Sequence, residues 1–223
     1  MQKGSKLVCG VGINDADYVV QKYQVTSRIS PTSGKRIQKR IWVCPYYEVW
    51  KSMLKRCYSA YVHNKFPTYK GCSVCEDWRY FSKFKSWMEA QDWVGKELDK
   101  DLLIRGNKLY SPSTCIFLSP KLNTFLSENS SSRGKYPIGV CYRKKPKHMV
   151  SEPSNPYRAE VGDGTPNRKY LGVFSTPEEA HKAWLSAKIE LAKKLAAEII
   201  LEGGDTRIAK AIVDRYEDWE ECI

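Results

Sequence analysis

No stretch of this chain approaches the roughly 20 consecutive apolar residues that a membrane-spanning helix requires, which argues against a bilayer as its solvent. Its opening, MQKGSKLVCGVG, also lacks the run of about 7–15 apolar residues that forms a secretory signal core. A cytoplasmic location is therefore expected. Acidic residues are in short supply: 25 Asp and Glu stand against 37 Lys and Arg, giving a net charge of +12 and a pI near 9.2. That imbalance disfavours acidic-surface functions and points to a polyanionic partner. Intrinsic disorder is excluded by what is present, since 42% of residues are apolar and seven are Trp, enough to build real cores.

At roughly 150 residues per domain, 223 residues make one or two domains. The polar run Ser127–Lys135, SENSSSRGK, is the best internal linker. It separates an N-terminal unit, residues 1–126, from a C-terminal unit, residues 136–223.

Pro31 and Gly34 place a basic loop in SPTSGKRIQKR. A helix is expected after Pro45, with Tyr47, Trp50, Met53, Leu54 and Cys57 at helical spacing. A second is expected in EDWRYFSKFKSWMEAQ, with Trp78, Phe81, Phe84, Trp87 and Met88 along one face. A short strand pair around Arg105–Tyr110 and a helix from Ser119–Pro120 follow. The C-terminal unit reads as three short strands and one long helix. That helix opens on Thr176, Pro177 and Glu179, which make a capping box with proline at the first helical position. Its buried stripe is expected at Ala180, Trp184, Ala187, Leu191 and Leu195, and Gly203–Gly204 should end it. Asp205 is placed to cap a last helix. The fold class is thus α+β.

The eight cysteines should stay reduced without a secretion signal. Cys72-Ser73-Val74-Cys75 follows Gly71, and a turn of that kind aims two thiolates at one point. With Cys44 and Cys57 they could complete a structural Zn²⁺ site. The competing reading is four buried thiols in an aromatic core.

Between Arg133 and Tyr170 lie nine Lys or Arg and three Asp or Glu. Basic residues alternating with apolar ones on a small sheet suit the major groove of double-stranded DNA. The segment Tyr136–Ala192 resembles the ethylene-response-factor (Apetala-type) DNA-binding domain. The resemblance rests on Gly139-Val140, Tyr157-Arg158-Ala159-Glu160, Tyr170-Leu171-Gly172 with Phe174, and Thr176-Pro177-Glu178-Glu179-Ala180. The loop KPKHMVSEPSNP is longer than that family's usual turn. The resemblance implies a three-stranded antiparallel sheet packed on one helix, with Arg143, Lys145, Arg158, Arg168 and Tyr170 touching the duplex.

From Tyr46 to Leu126 the chain is similar to phage-encoded HNH-type homing endonucleases, through WKSMLKRCYS, PTYKGCSVCEDW, LDKDLLIRGNKLYSPSTC and Lys121-Leu122-Asn123. This implies a ββα-metal domain with flanking helices, in which two strands and a helix hold one divalent cation, here Mg²⁺, for phosphodiester hydrolysis. It also implies a monomer working in a host cytoplasm. The implied catalytic set is Asp99, Lys100, Asp101, Asn107 and Asn123, with Asp99, Asp101 and Asn123 as magnesium ligands. The histidine that serves as general base in this class is absent. In one alignment Asp99 binds metal and Lys100 replaces the base; shifted by one residue, Asp99 itself is the base. Asn107 corresponds to the loop-orienting Asn. A nuclease that has lost cutting and kept DNA binding would carry the same motif.

Overall fold

The computed structural model describes residues 7–127, 135–144 and 153–220. Its elements, in chain order, are β1 Gln21–Ile29, β2 Arg36–Val43, α1 Pro45–Tyr58, α2 Ala60–Lys65, β3 Ser73–Val74, α3 Phe81–Glu89, β4 Glu97–Asp99, β5 Leu109–Tyr110, β6 Ile116–Leu118, α4 Pro120–Leu126, β7 Val140–Tyr142, β8 Tyr157–Gly162, β9 Arg168–Phe174, α5 Pro177–Leu201 and α6 Thr206–Glu220. The mixed α+β class is as expected. Two compact units are formed. One comprises Met1–Val94 with Gly106–Phe117, the other Gly95–Arg105 with Leu118–Ile223. The expected linker falls almost wholly at residues 128–134, outside the described residues.

The first unit is built on aromatic packing. Tyr47, Trp50, Met53, Leu54 and Cys57 of α1 are all buried, as their spacing predicts. The segment expected to form one helix over 76–91 is broken. A 3₁₀ turn at Asp77–Arg79 precedes α3, because Ile13 takes the backbone there: Ile13 N–H donates to the Arg79 carbonyl and Phe81 N–H to the Ile13 carbonyl. Trp78 still reaches the core, with ring centroids 5.0 Å from Phe84 and 4.5 Å from Trp87. Trp50 donates its indole N–H to the Trp78 carbonyl at 2.7 Å, so the buried ring meets its polar need. The expected strand pair around Arg105–Tyr110 is not a hairpin. Only Leu109–Tyr110 is extended, and it pairs in parallel with β3. The expected basic loop is instead the turn of an antiparallel ribbon, β1 with β2.

In the second unit β7, β8 and β9 form an antiparallel sheet in that order. Ala159 and Val161 of β8 are buried, as are Ala180, Trp184, Leu185, Lys188, Ile189, Ala192 and Ala196 of α5. The buried stripe is rotated from the expected one: Ala187, Leu191 and Leu195 are only half-buried, because spacing four from Ala180 is kept through Ala196. Thr176 caps α5 and the capping box with Glu179 is complete. Gly203, at φ +71°, follows the helix end as expected.

Two features tie α4 into this unit. Gly164, in the turn between β8 and β9 at φ +92°, lies so close to the Lys121 carbonyl that a Cβ there would collide with it. At the other end of α4 the Phe125 carbonyl accepts the buried Lys188 ammonium at 2.7 Å and the Tyr216 hydroxyl at 3.4 Å. The Lys188 ammonium also sits 3.4 Å from the centroid of the Phe125 ring.

Candidate functional site

Strand β4 is Glu97-Leu98-Asp99. Side chains alternate across a strand, so buried Leu98 faces inward while Glu97 and Asp99 share the other face. The Asp99 carboxylate folds into its own loop: its Oδ1 accepts the backbone N–H of Asp101 at 2.9 Å and of Leu102 at 2.7 Å. Burial pushes the Asp99 carboxyl above its ordinary pKa, against the opposing pull of those two N–H groups. Lys100 is only 5% exposed. Its ammonium donates to Asp101 Oδ1 at 2.5 Å.

Helix α4 begins at Ser119, whose hydroxyl accepts the Leu122 N–H, with Pro120 at the first turn. It presents half-buried Asn123, whose amide nitrogen donates to a Glu97 carboxylate oxygen. The amide oxygen of Asn123 is therefore the atom left for a cation. Glu97 was not among the residues expected from sequence. The strand alternation Glu-Leu-Asp was the signal that could have found it.

Asp99, Lys100, Asp101 and Asn123 lie in the second unit and Asn107 in the first. Asn107 brackets the entry to β5, accepting the Leu109 N–H at 3.0 Å and donating to the Leu109 carbonyl at 2.7 Å. That is the behaviour of a loop-orienting residue. The carboxylates of Asp99 and Asp101 and the amide oxygen of Asn123 are hard donors of the kind Mg²⁺ takes.

Among the described residues no three His, Cys, Asp or Glu side chains are grouped so as to hold a metal. Cys44, Cys57, Cys72 and Cys75 are all described, so these four thiols do not converge on one ion. Cys44, Cys57 and Cys72 are buried and Cys75 is half-buried. The reason is local: Cys44 ends the ribbon, where its Sγ meets the Tyr18 hydroxyl at 3.9 Å, while Cys75 N–H is drawn to the Tyr110 carbonyl at 2.9 Å.

The outer face of the β7–β9 sheet is set by its register. Cys141, Arg158 and Val173 form one cross-strand row, Glu160 and Tyr170 a second, Gly162 and Arg168 a third. Arg158, Arg168 and Tyr170 are exposed. Arg158 is bridged to Glu160 on its own strand, and its guanidinium lies 5.8 Å from the Tyr170 ring centroid. The hydrogen bond to Glu160 is the main cause that raises the Arg158 pKa above its ordinary value. Arg143 is exposed at the end of β7, where its N–H donates to the Pro156 carbonyl at 2.7 Å. Lys145 lies outside the described residues. His181 is half-buried: its Nδ1 bonds the Ile138 carbonyl and its ring stacks on Trp184.

No protein-family model, curated protein or solved structure matches the chain. Among the described residues no helix is long and apolar enough to cross a membrane.

Proposed function

We propose that this protein is a metal-dependent endonuclease of the HNH type acting on double-stranded DNA. One observation carries the reading. Helix α4, which bears Asn123, is joined to Glu97 beside Asp99 at one contact and presses on the β8–β9 turn of the basic sheet at another. An acidic loop and a cationic sheet thus share one compact unit.

The roles follow from the chemistry of each group. Arg143, Arg158 and Arg168 supply guanidinium groups for phosphates and guanine edges, and Tyr170 a flat apolar ring beside them. Asp99, made more basic by burial, fills the role of the missing histidine in the shifted alignment and would take a proton from the attacking water. Lys100 is less suited to that task, because its ammonium is buried against Asp101. Mg²⁺ held by Asp101 and Asn123, with Asp99 in the alternative alignment, would supply charge stabilisation at the leaving oxygen. Glu97 orients the Asn123 amide. Asn107 shapes the loop leading into β5.

A second reading is favoured by a different observation. Asp99 Oδ1 and Asp101 Oδ1 are each already satisfied within their own loop, as in a duplex-binding protein that no longer cuts. Incubation with supercoiled duplex and Mg²⁺ separates the two. The endonuclease nicks or linearises it, stops on chelation, and loses at least a hundredfold in rate in Asp99→Ala/Asn123→Ala while duplex binding stays. Binding without any cut by the unaltered chain selects the second reading. Cleavage that persists in the double variant refutes the assignment of these residues.

A further inference from the structure

The β1–β2 ribbon, in the first unit, takes no part in the site described above. From Tyr18 to Val43 the chain holds Lys22, Arg28, Lys35, Arg36, Lys39 and Arg40, and not one Asp or Glu. The two strands pair antiparallel from Gln21↔Val43 to Ile29↔Arg36. At about 3.3 Å per residue, nine residues reach about 30 Å. Every residue of β2 from Arg36 to Trp42 is exposed, as are seven of the nine in β1.

Cross-strand partners share a face. Lys22 with Trp42 and Gln24 with Lys39 lie on one side, Tyr23 with Arg40 and Val25 with Gln38 on the other. Both sides are thus cationic and carry bare apolar groups. Val25 is 55% exposed, Ile29 63% and Ile41 57%. A two-stranded ribbon of this kind is marginal by itself, and its open edges would favour aggregation unless charge or a partner covers them. Arg40 is anchored, bidentate on Glu48 of α1 at 2.7 and 3.0 Å. Among the described residues Lys22, Arg28, Lys35, Arg36 and Lys39 meet no carboxylate at ion-pair distance. Lys22 instead lies 5.7 Å from the Trp42 ring centroid.

We infer that this ribbon is a second duplex-contacting element, binding through Lys22, Lys35, Arg36 and Lys39. Its width suits the major groove, which admits a two-stranded ribbon. Its cations, without acidic neighbours, match a phosphate backbone on either side of the groove, and its small apolar groups suit thymine methyls. The inference shares the duplex with the proposed function but rests on a separate unit and separate residues.

The test uses the full chain and duplex DNA, with affinity measured from 50 to 200 mM salt. Lys22→Gln/Lys35→Gln/Arg36→Gln/Lys39→Gln is compared with Arg158→Ala/Arg168→Ala, each checked for an unchanged melting temperature. The slope of log affinity against log salt should fall by about 3–4 in the ribbon variant, at about 0.9 per lost phosphate contact. Affinity at the lowest salt should drop at least tenfold. Lys22→Arg/Lys35→Arg/Lys39→Arg, which keeps the charge, should retain the parent slope and guards against a folding artefact. A ribbon variant with parental affinity and slope overturns this inference alone. A sheet variant with parental affinity overturns the sheet reading alone. No duplex binding by the unaltered chain overturns both. Equal or tighter binding to single-stranded RNA that depends on the same four cations assigns the ribbon to another polyanion and overturns the duplex as its partner.

Discussion

Gly139 shows how much one missing side chain decides. It opens β7 at φ +81°, a conformation other residues rarely hold, and a Cβ there would fall on the Trp184 indole. That indole is buried between sheet and helix. Gly139→Ala combines backbone strain with overpacking and should cost at least about 2 kcal/mol in denaturant unfolding. A loss under about half that would mean that Trp184 can swing aside. The dipeptide Gly139-Val140 could be read from sequence as a strand opening, but the collision could not, since Trp184 lies 45 residues on. The same limit applies at the candidate site. Asp99, Asp101 and Asn123 enter as candidates only through the resemblance to HNH nucleases. Glu97 as the partner of Asn123, and Lys100 as a buried ammonium held to Asp101, depend on which side chains folding brings together.

At the scale of elements, helices with local signals were the most readable. Helix α5 begins where Thr176-Pro177-Glu178-Glu179 says it should, because capping is settled within four residues. Thr176→Ala should lower stability by about 1 kcal/mol, measurable by thermal melts. Glu179 adds a dependence on pH. The Ser175 hydroxyl at 2.7 Å and the Thr176 N–H hold its carboxyl below the ordinary glutamate value. A depressed pKa stabilises the fold above the unfolded value, and that contribution is lost as pH falls through the folded one. The melting gap between the parent chain and Glu179→Ala should therefore be widest near neutrality and shrink below about pH 4. A gap that grows on acidification would refute the assignment. Strands were less readable. The ribbon hid behind Pro31 and Gly34, whose turn signal was clear, but its flanking strands bury no face and so lack the apolar alternation that marks a half-buried strand. The short strand β5 pairs with β3, some 36 residues away in sequence, and nothing local could announce it.

For the whole molecule, sequence composition divides the chain near 127–135, whereas compactness groups Gly95–Arg105 and Leu118–Ile223 together. Contacts made at α4 explain this grouping, and they are distant in sequence. Lys188 lies 63 residues beyond Phe125 and Tyr216 lies 91 beyond it, yet both donate to the same carbonyl. Arg215 adds a bond of 3.4 Å to the carbonyl of Leu126. The carboxy-terminal helix therefore acts as a remote splint for the segment that offers Asn123. If the chain cuts duplex as proposed, trimming it after Gly204 should leave the capped start of α5 helical by circular dichroism and still abolish nicking. A trimmed chain that cuts at the parental rate would mean that the splint is dispensable. Under the proposed function, selection would then reach far downstream of the chemistry: a substitution along α6 would silence cutting as surely as one in the acidic loop.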